Sequence, residues 1–118
     1  MIERDLYQHL VDNVPLVDSR VYQMTFPQDV EKPAILITVI SDNAIQEVAF
    51  KSLGRHKRIQ IDIYDEGFYD CKSIKDKVLV ALGTFKPAPQ NINVQSIYEH
   101  EVFSYRDIVD FICVEVGC

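Results

Sequence analysis

The central segment of the chain, residues 58–82, reads RIQIDIYDEGFYDCKSIKDKVLVAL. Its first part alternates apolar and polar side chains, as in a strand that buries one face, and the apolar side chains are Ile59, Ile61 and Ile63. After Gly67 the apolar residues are mostly spaced three or four apart, as on the buried side of a helix. The segment therefore predicts a strand over residues 57–65 that leads into a helix over residues 68–83.

The flanking sequence adds a second helix and further strands. Apolar residues recur every fourth position from Ile2 to Val14, which predicts a helix over residues 2–14 that ends before Pro15. Residues 34–41 form an apolar run rich in β-branched side chains, which predicts a strand covered on both faces. The remaining extended segments are a short one at residues 21–24 and two strands at residues 92–98 and 105–116.

These elements predict an α+β fold, in which a mostly antiparallel sheet of four to five strands packs against two helices. With 118 residues, the chain has the size of one domain, and we expect residues 1–118 to form a single unit. The apolar fraction of 47% and the charged fraction of 25% are typical of a soluble globular protein. No apolar run approaches the length of a membrane helix, and no signal-peptide pattern opens the chain, so we expect a location in the cytoplasm of the producing cell.

The charge balance disfavours tight binding of nucleic acid. The formal net charge is −6, and the isoelectric point is about 4.9. The basic residues form one loose cluster, which acidic side chains follow closely: Lys51, Arg55, His56, Lys57 and Arg58. A protein that grips DNA gathers Lys and Arg on one surface. A protein that lets DNA slide past it tolerates an acidic balance.

Three cysteines, an odd number, favour free thiols over a disulfide framework. Cys71 lies on the apolar side of the predicted helix and Cys113 in an apolar strand, so we expect both to be small buried hydrophobes. Cys118 is expected to be an exposed thiol without an assigned role.

No catalytic, metal or cofactor site is predicted. The three histidines lie far apart in sequence, and the four glycines are too isolated to cradle a phosphate. The one metal hypothesis is that carboxylates on neighbouring strands converge on a divalent cation, as in a nuclease: Asp62, Asp65, Asp107 and Asp110. Strand alternation places Asp62 and Asp65 on opposite faces, which disfavours this third alternative.

The chain resembles the phage tail-completion or head–tail joining family, small proteins that prophages also encode. The matching segments follow one another over nearly the whole chain: the helix IERDLYQHL at residues 2–10, SRVY at 19–22, the proline-flanked loop at 27–33, RIQIDIY at 58–64, VAL at 80–82 and YRDIVDFI at 105–112. The chain departs from the family pattern over residues 42–55 and 98–101.

This resemblance implies a structural virion protein rather than an enzyme, without cofactors. Such proteins form a ring, usually six-fold, where the tail tube meets the head connector. The implied partners are head-connector and tail-tube proteins and further copies of the chain, which forms a hexamer when assembled. The resemblance is compatible with a monomer in isolation and leaves the state of the free protein open. DNA passes through the lumen without sequence-specific binding, and no membrane is involved. The implied location is the head–tail junction of the virion, after synthesis in the bacterial cytoplasm.

Two segments are predicted to contact these partners. The first is a long connection, or a hairpin arm, over residues 42–57, and its candidate residues are Asp42, Asn43, Ile45, Phe50, Lys51 and Arg55. The second is the loop between Pro27 and Pro33, and its candidate residues are Gln28, Asp29, Glu31 and Lys32. The main alternative function is a small α+β module that binds a ligand or a regulatory protein, which would need a pocket with convergent polar groups.

Overall fold

The computed structural model describes residues 2–27, 30–46, 52–100 and 103–116. Two helices and five strands confirm the predicted α+β fold. In chain order the elements are helix α1 (Ile2–Asn13), a single 3₁₀ turn (Pro15–Val17), strand β1 (Val21–Gln23), strand β2 (Ala34–Gln46), strand β3 (Ser52–Asp65), helix α2 (Phe68–Leu82), strand β4 (Gln90–Glu99) and strand β5 (Ser104–Val116).

The five strands form one sheet in the order β1-β2-β3-β5-β4. The pairs β2–β3, β3–β5 and β5–β4 are antiparallel. Strand β1 pairs in parallel with β2, with Val21 opposite Ile35. Residues 24–33 separate these two strands along the chain, and a parallel pair needs such a crossover rather than the two-residue turn of a hairpin.

The core lies between the helices and one face of the sheet. Alternation along β3 directs Ile59, Ile61 and Ile63 to this face, and each is fully buried. Helix α1 adds apolar side chains one turn apart, and α2 adds a similar stripe. The helical side chains that complete the core are Ile2, Leu6, Leu10, Cys71, Ile74, Val78, Ala81 and Leu82.

The opposite side of the sheet, which we call the open face, carries no helix within the described part of the chain. It is formed by alternate residues of the strands: Arg58, Gln60, Asp62 and Tyr64 of β3, and Arg106, Ile108 and Asp110 of β5. The expectation that β2 is covered on both faces is therefore wrong, since the side chain of Ile40 is 47% exposed there. An apolar run indicates burial on both faces, but it cannot show whether the cover comes from the same chain.

The boundaries of the predicted elements differ most at the β2–β3 hairpin. Strand β2 continues to Gln46 rather than ending at Ser41, and β3 begins at Ser52 rather than at residue 57. The pairing shifts register between Val39 and Ser41 and then continues. Backbone hydrogen bonds extend these strands past the end of the apolar pattern. That pattern is the only sign of a strand that the side chains provide, so the extension could not be predicted.

Candidate protein-contact surfaces

The β2–β3 hairpin contains the first predicted contact segment. The expectation of a loop is wrong for four of its candidates, because Asp42, Asn43 and Ile45 lie in β2 and Arg55 lies in β3. The sequence hypothesis of a hairpin arm describes them better. The remaining two candidates, Phe50 and Lys51, lie outside the described residues. Contact with a partner stays a prediction for all six.

The basic cluster at the base of this hairpin is neutralised by carboxylates. Arg55 Nε donates to Asp42 Oδ1 at 2.5 Å. Lys57 is almost fully buried, and its Nζ lies 2.6 Å from Glu3 Oε1 of helix α1. Arg58 Nη2 lies 2.6 Å from Asp110 Oδ2 on the open face. Lys57 therefore holds the base of the hairpin against helix α1. All three cations are paired with carboxylates, which leaves them poorly suited to grip phosphates.

Only part of the second predicted segment can be placed, since Gln28 and Asp29 lie outside the described residues. The carboxylate of Glu31 is largely exposed, 3.9 Å from Nη1 of Arg20. Lys32 lines a shallow groove of about 210 Å³. The other walls of this groove are Phe26, Val30, Ala34, Tyr64 and Glu99. The rings of Phe26 and Tyr64 meet edge-on, with centroids 5.2 Å apart, and anchor the segment on the open face.

Strand β4 is an exposed edge of the sheet, and sequence reasoning assigned it no role. All ten of its residues, from Gln90 to Glu99, are at least partly exposed. The large apolar side chains among them are Ile92, Val94, Ile97 and Tyr98. No charged residue occurs from Gln90 to Tyr98. A long, uncharged, apolar edge is a template for another strand, and proteins usually guard such edges with Lys, Pro or a covering loop.

A groove of about 170 Å³ runs between β4 and helix α2. Its walls include Phe68, Tyr98 and Tyr105, and the Phe68 and Tyr98 rings each pack edge-on against Tyr105. At its base, Lys72 Nζ donates to Asp107 Oδ1 at 2.9 Å and also to Ser96 Oγ of β4. Lys72 thus links the helix, the edge strand and the buried carboxylate of β5.

The carboxylates considered for a metal site do not converge. Asp62 lies on the open face, where Arg106 Nη2 approaches its Oδ1 to 3.1 Å. Asp107 lies on the other face of the sheet with Lys72. Asp110 is opposed by Arg58. Within the described ranges there is no group of three or more His, Cys, Asp or Glu side chains that could hold a metal ion, so the geometry gives the nuclease hypothesis no support.

Two of the histidines, His9 and His100, make packing contacts that give them a structural role. His9 Nε2 lies 2.7 Å from the carbonyl oxygen of Ala81, and its ring packs against Phe85. This contact holds helix α1 against the end of α2. His100 packs edge-on against Tyr98 at a centroid distance of 4.9 Å.

Cys71 and Cys113 are free and buried, as the sequence predicts. Burial, followed by the negative charge of Asp107, raises the pKa of the Cys71 thiol from 9.0 to about 12. Burial alone raises the pKa of Cys113 to about 11. Cys118 lies outside the described residues.

Alkaline pH is expected to destabilise the protein through these two thiols. Because their pKa values are raised in the folded state, their contribution is complete below pH 9 and is lost as the pH rises towards 11 and 12. The loss is at most about 1.4 kcal/mol per pH unit for each thiol. Urea unfolding from pH 8 to pH 11 should show a steeper decline in the native protein than in the Cys71→Ala/Cys113→Ala variant. Equal slopes in the two proteins would contradict this assignment.

The fold is similar to that of a chain in a solved structure described as "Virion of native gene transfer agent (GTA) particle". The superposition has a TM-score of 0.70 and covers 98% of this chain and 95% of that chain, at 14% sequence identity. The two chains share a fold. No protein-family model matches this sequence, and no curated protein is similar to it in sequence. Within the described part of the chain, neither helix is long and apolar enough to cross a membrane.

Proposed function

We propose that this protein is a structural subunit of a phage-like virion that completes the tail and joins it to the head connector. The observation that carries the proposal is the similarity in fold to a gene transfer agent virion chain, which extends over nearly the full length of both chains. The family resemblance of the sequence points to the same class of protein from separate information. Neither source supplies catalytic residues, and the proposed role is not enzymatic.

In this role, six copies form a ring at the head–tail junction, and DNA passes through the centre. A closed ring requires head-to-tail contacts, in which one patch of a subunit meets a different patch on its neighbour. The partners are head-connector proteins on one side and tail-tube proteins on the other. When dilute the free protein is a monomer, and copies associate into the ring as their concentration rises or on a partner surface.

The acidic composition suits a channel through which DNA must move. Six copies multiply the net charge of −6, and a lumen with this sign repels phosphate, so DNA slides rather than sticks. Acidic composition is also common among soluble proteins that never meet DNA. Replacing carboxylates that line the lumen with Lys is expected to slow DNA ejection. Unchanged ejection would show that the charge of the lumen has no role in the passage of DNA.

Electron microscopy of lysates from which this gene has been deleted tests the proposed role. We expect finished heads and finished tails lying apart, because each part assembles on its own pathway and only the joint is missing. Restoring the gene in trans should restore joined particles. Intact virions in the deletion strain would exclude the proposal and would leave the ligand-binding or regulatory module as the leading interpretation.

Deleting residues 44–52 is expected to abolish assembly without unfolding the protein. The deletion leaves residues 53–55 as a three-residue loop with a glycine between Asn43 and His56, which already pair across the hairpin. The buried part of the hairpin, from Ala34 to Ile37 and from Ile59 to Ile63, is unchanged. Circular dichroism would confirm the fold, and complementation of the deletion strain would measure assembly. Full complementation would show that this segment does not contact a partner.

A further inference from the structure

Among the described residues, the sheet has two outer edges that no strand pairs with, one on each side. The first is the outer edge of β4, which ends the strand order. The second is the outer edge of β2 over residues 38–46, because β1 pairs only with residues Ile35 to Ile37. Apart from β1, no described strand pairs with the outer side of β2. We name these two surfaces the β4 edge and the β2 edge.

Both edges are nearly free of charge in a protein whose net charge is −6. Around the β4 edge, the charged side chains are occupied within the subunit: Lys72 by Asp107, Arg58 by Asp110 and Arg106 by Glu99. On the β2 edge the one charged residue is Asp42, which binds Arg55. Two copies that repel each other over most of their surface can therefore approach each other along these edges.

The directions of the strands also make the two edges complementary. Strands β2 and β5 run in one direction, and β3 and β4 run in the other, because each neighbouring pair is antiparallel. If two copies lie side by side, related by rotation about an axis roughly along the strands, β4 of one copy is antiparallel to β2 of the next. The contact joins two different patches, as a ring requires.

We propose that, in the ring that our functional proposal requires, the β4 edge of each copy pairs antiparallel with the β2 edge of the next copy. The occupant of the β4 edge is thus a second copy of this chain, and six sheets join into one continuous closed sheet. This pairing would explain why a strand that exposes four large apolar side chains, with no charged residue from Gln90 to Tyr98, ends the sheet. It also gives the predicted contact residues Asp42, Asn43 and Ile45 a place in the interface, as strand residues.

The register sets the stagger between neighbouring copies. Val94 of β4 lies level with Ile37 of β2, through Val109 and Ile61. Pairing the middle of β4 with Asp42, the middle of the β2 edge, shifts the next copy by four ladder positions, because Ile37 is opposite Ile61 and Asp42 is opposite Lys57. This is about 14 Å along the strands. The four antiparallel strands of each copy span about 19 Å. The resulting tilt of about 35° lies in the range of closed barrels.

Cysteine cross-linking tests this pairing, since the stagger brings Ile40 of one copy close to Ile97 of the next on the open face. Both side chains are exposed. The test uses a Cys118→Ser background, in which the two other thiols are buried, and a short bis-maleimide at high protein concentration. We expect the Ile40→Cys/Ile97→Cys variant to give a ladder of covalent oligomers up to the hexamer. Each single variant alone should give none, and a mixture of the two should give dimers only.

The matched control is a Tyr69→Cys/Ile97→Cys variant, since Tyr69 is highly exposed on helix α2 and belongs to neither edge strand. The proposal would be overturned if the Ile40→Cys/Ile97→Cys variant cross-linked no more than this control. Dimers from the Ile97→Cys variant alone would also overturn it, because they would show that two β4 edges pair with each other. Separated heads and tails in the deletion strain without a ladder would leave the joining role intact and refute only this contact. A ladder with intact virions would refute the joining role and keep the contact.

Discussion

Replacing Lys72 with Met is expected to lower the free energy of unfolding by about 3 kcal/mol. The carboxylate of Asp107 is only 2% exposed, and Lys72 is the cation paired with it. Its second oxygen, Oδ2, is buried without a hydrogen-bond partner among the described residues. Met keeps the aliphatic stem of the side chain but removes the ammonium, so the charge of Asp107 stays buried without compensation.

Urea unfolding with an unchanged m-value would measure this loss. Adding Asp107→Asn to the variant should recover most of the stability, because the uncompensated charge is removed. Lys75→Met on the same helix is the matched control, since Lys75 pairs with the exposed Asp76. The control should lose less than about 1 kcal/mol. A similarly small loss for Lys72→Met would show that Asp107 does not depend on this ion pair.

Replacing Arg106 with Met is expected to cost about 2–3 kcal/mol. Arg106 Nε and Nη2 both donate to Oδ1 of the buried Asp62 at 3.1 Å, and its Nη1 donates to Glu99 of β4 at 2.7 Å. The amide of Gln60 also donates to both oxygens of Asp62 at 3.0 Å. The Gln60 bonds remain in the Arg106→Met variant and partly compensate the buried charge of Asp62. The expected loss of stability is therefore smaller than that of Lys72→Met.

The Arg106 variant has a second observable. Burial raises the pKa of Tyr64, and the positive charge of Arg106 opposes that rise. In the Arg106→Met variant the pKa of Tyr64 should therefore rise further, which an ultraviolet titration against a Tyr64→Phe reference would measure. Arg58→Met, on the same open face but exposed, should leave both stability and the tyrosine titration nearly unchanged. An unaltered titration in the Arg106 variant would show that this arginine is not close to Tyr64 in solution.

The strand and helix over residues 58–82 could be predicted because burial of one face imposes a period on the side chains. The strands from Asp42 to Arg55 could not be predicted in this way, because strand pairing continues there without an apolar pattern. No feature of the sequence alone identifies β4 as a contact surface. Its uncharged run from Gln90 to Tyr98 was a usable signal, but it becomes informative only when the strand is known to lie at an edge.

The buried ion pairs could not be predicted from the sequence either. Asp62 and Arg106 are separated by 44 positions, and Lys72 and Asp107 by 35. Their separation along the chain gives no local sign of contact. What brings them together is the placement of β5 beside β3, together with the packing of α2 on one face. The same placement puts Asp62 and Asp107 on opposite faces and so removes the support for a shared metal site.

The amino-acid order alone predicts the fold class, the faces that build the core and the burial of Cys71 and Cys113, because hydrophobic burial acts on the local order of side chains. The three-dimensional arrangement was needed to establish which strands end the sheet, which face stays open and which carboxylates pair with a cation. These features depend on how distant segments pair, and pairing between backbones leaves little trace in the local pattern of side chains. The proposed contacts between copies are of this second kind, since they arise at the two edges that the sheet leaves unpaired.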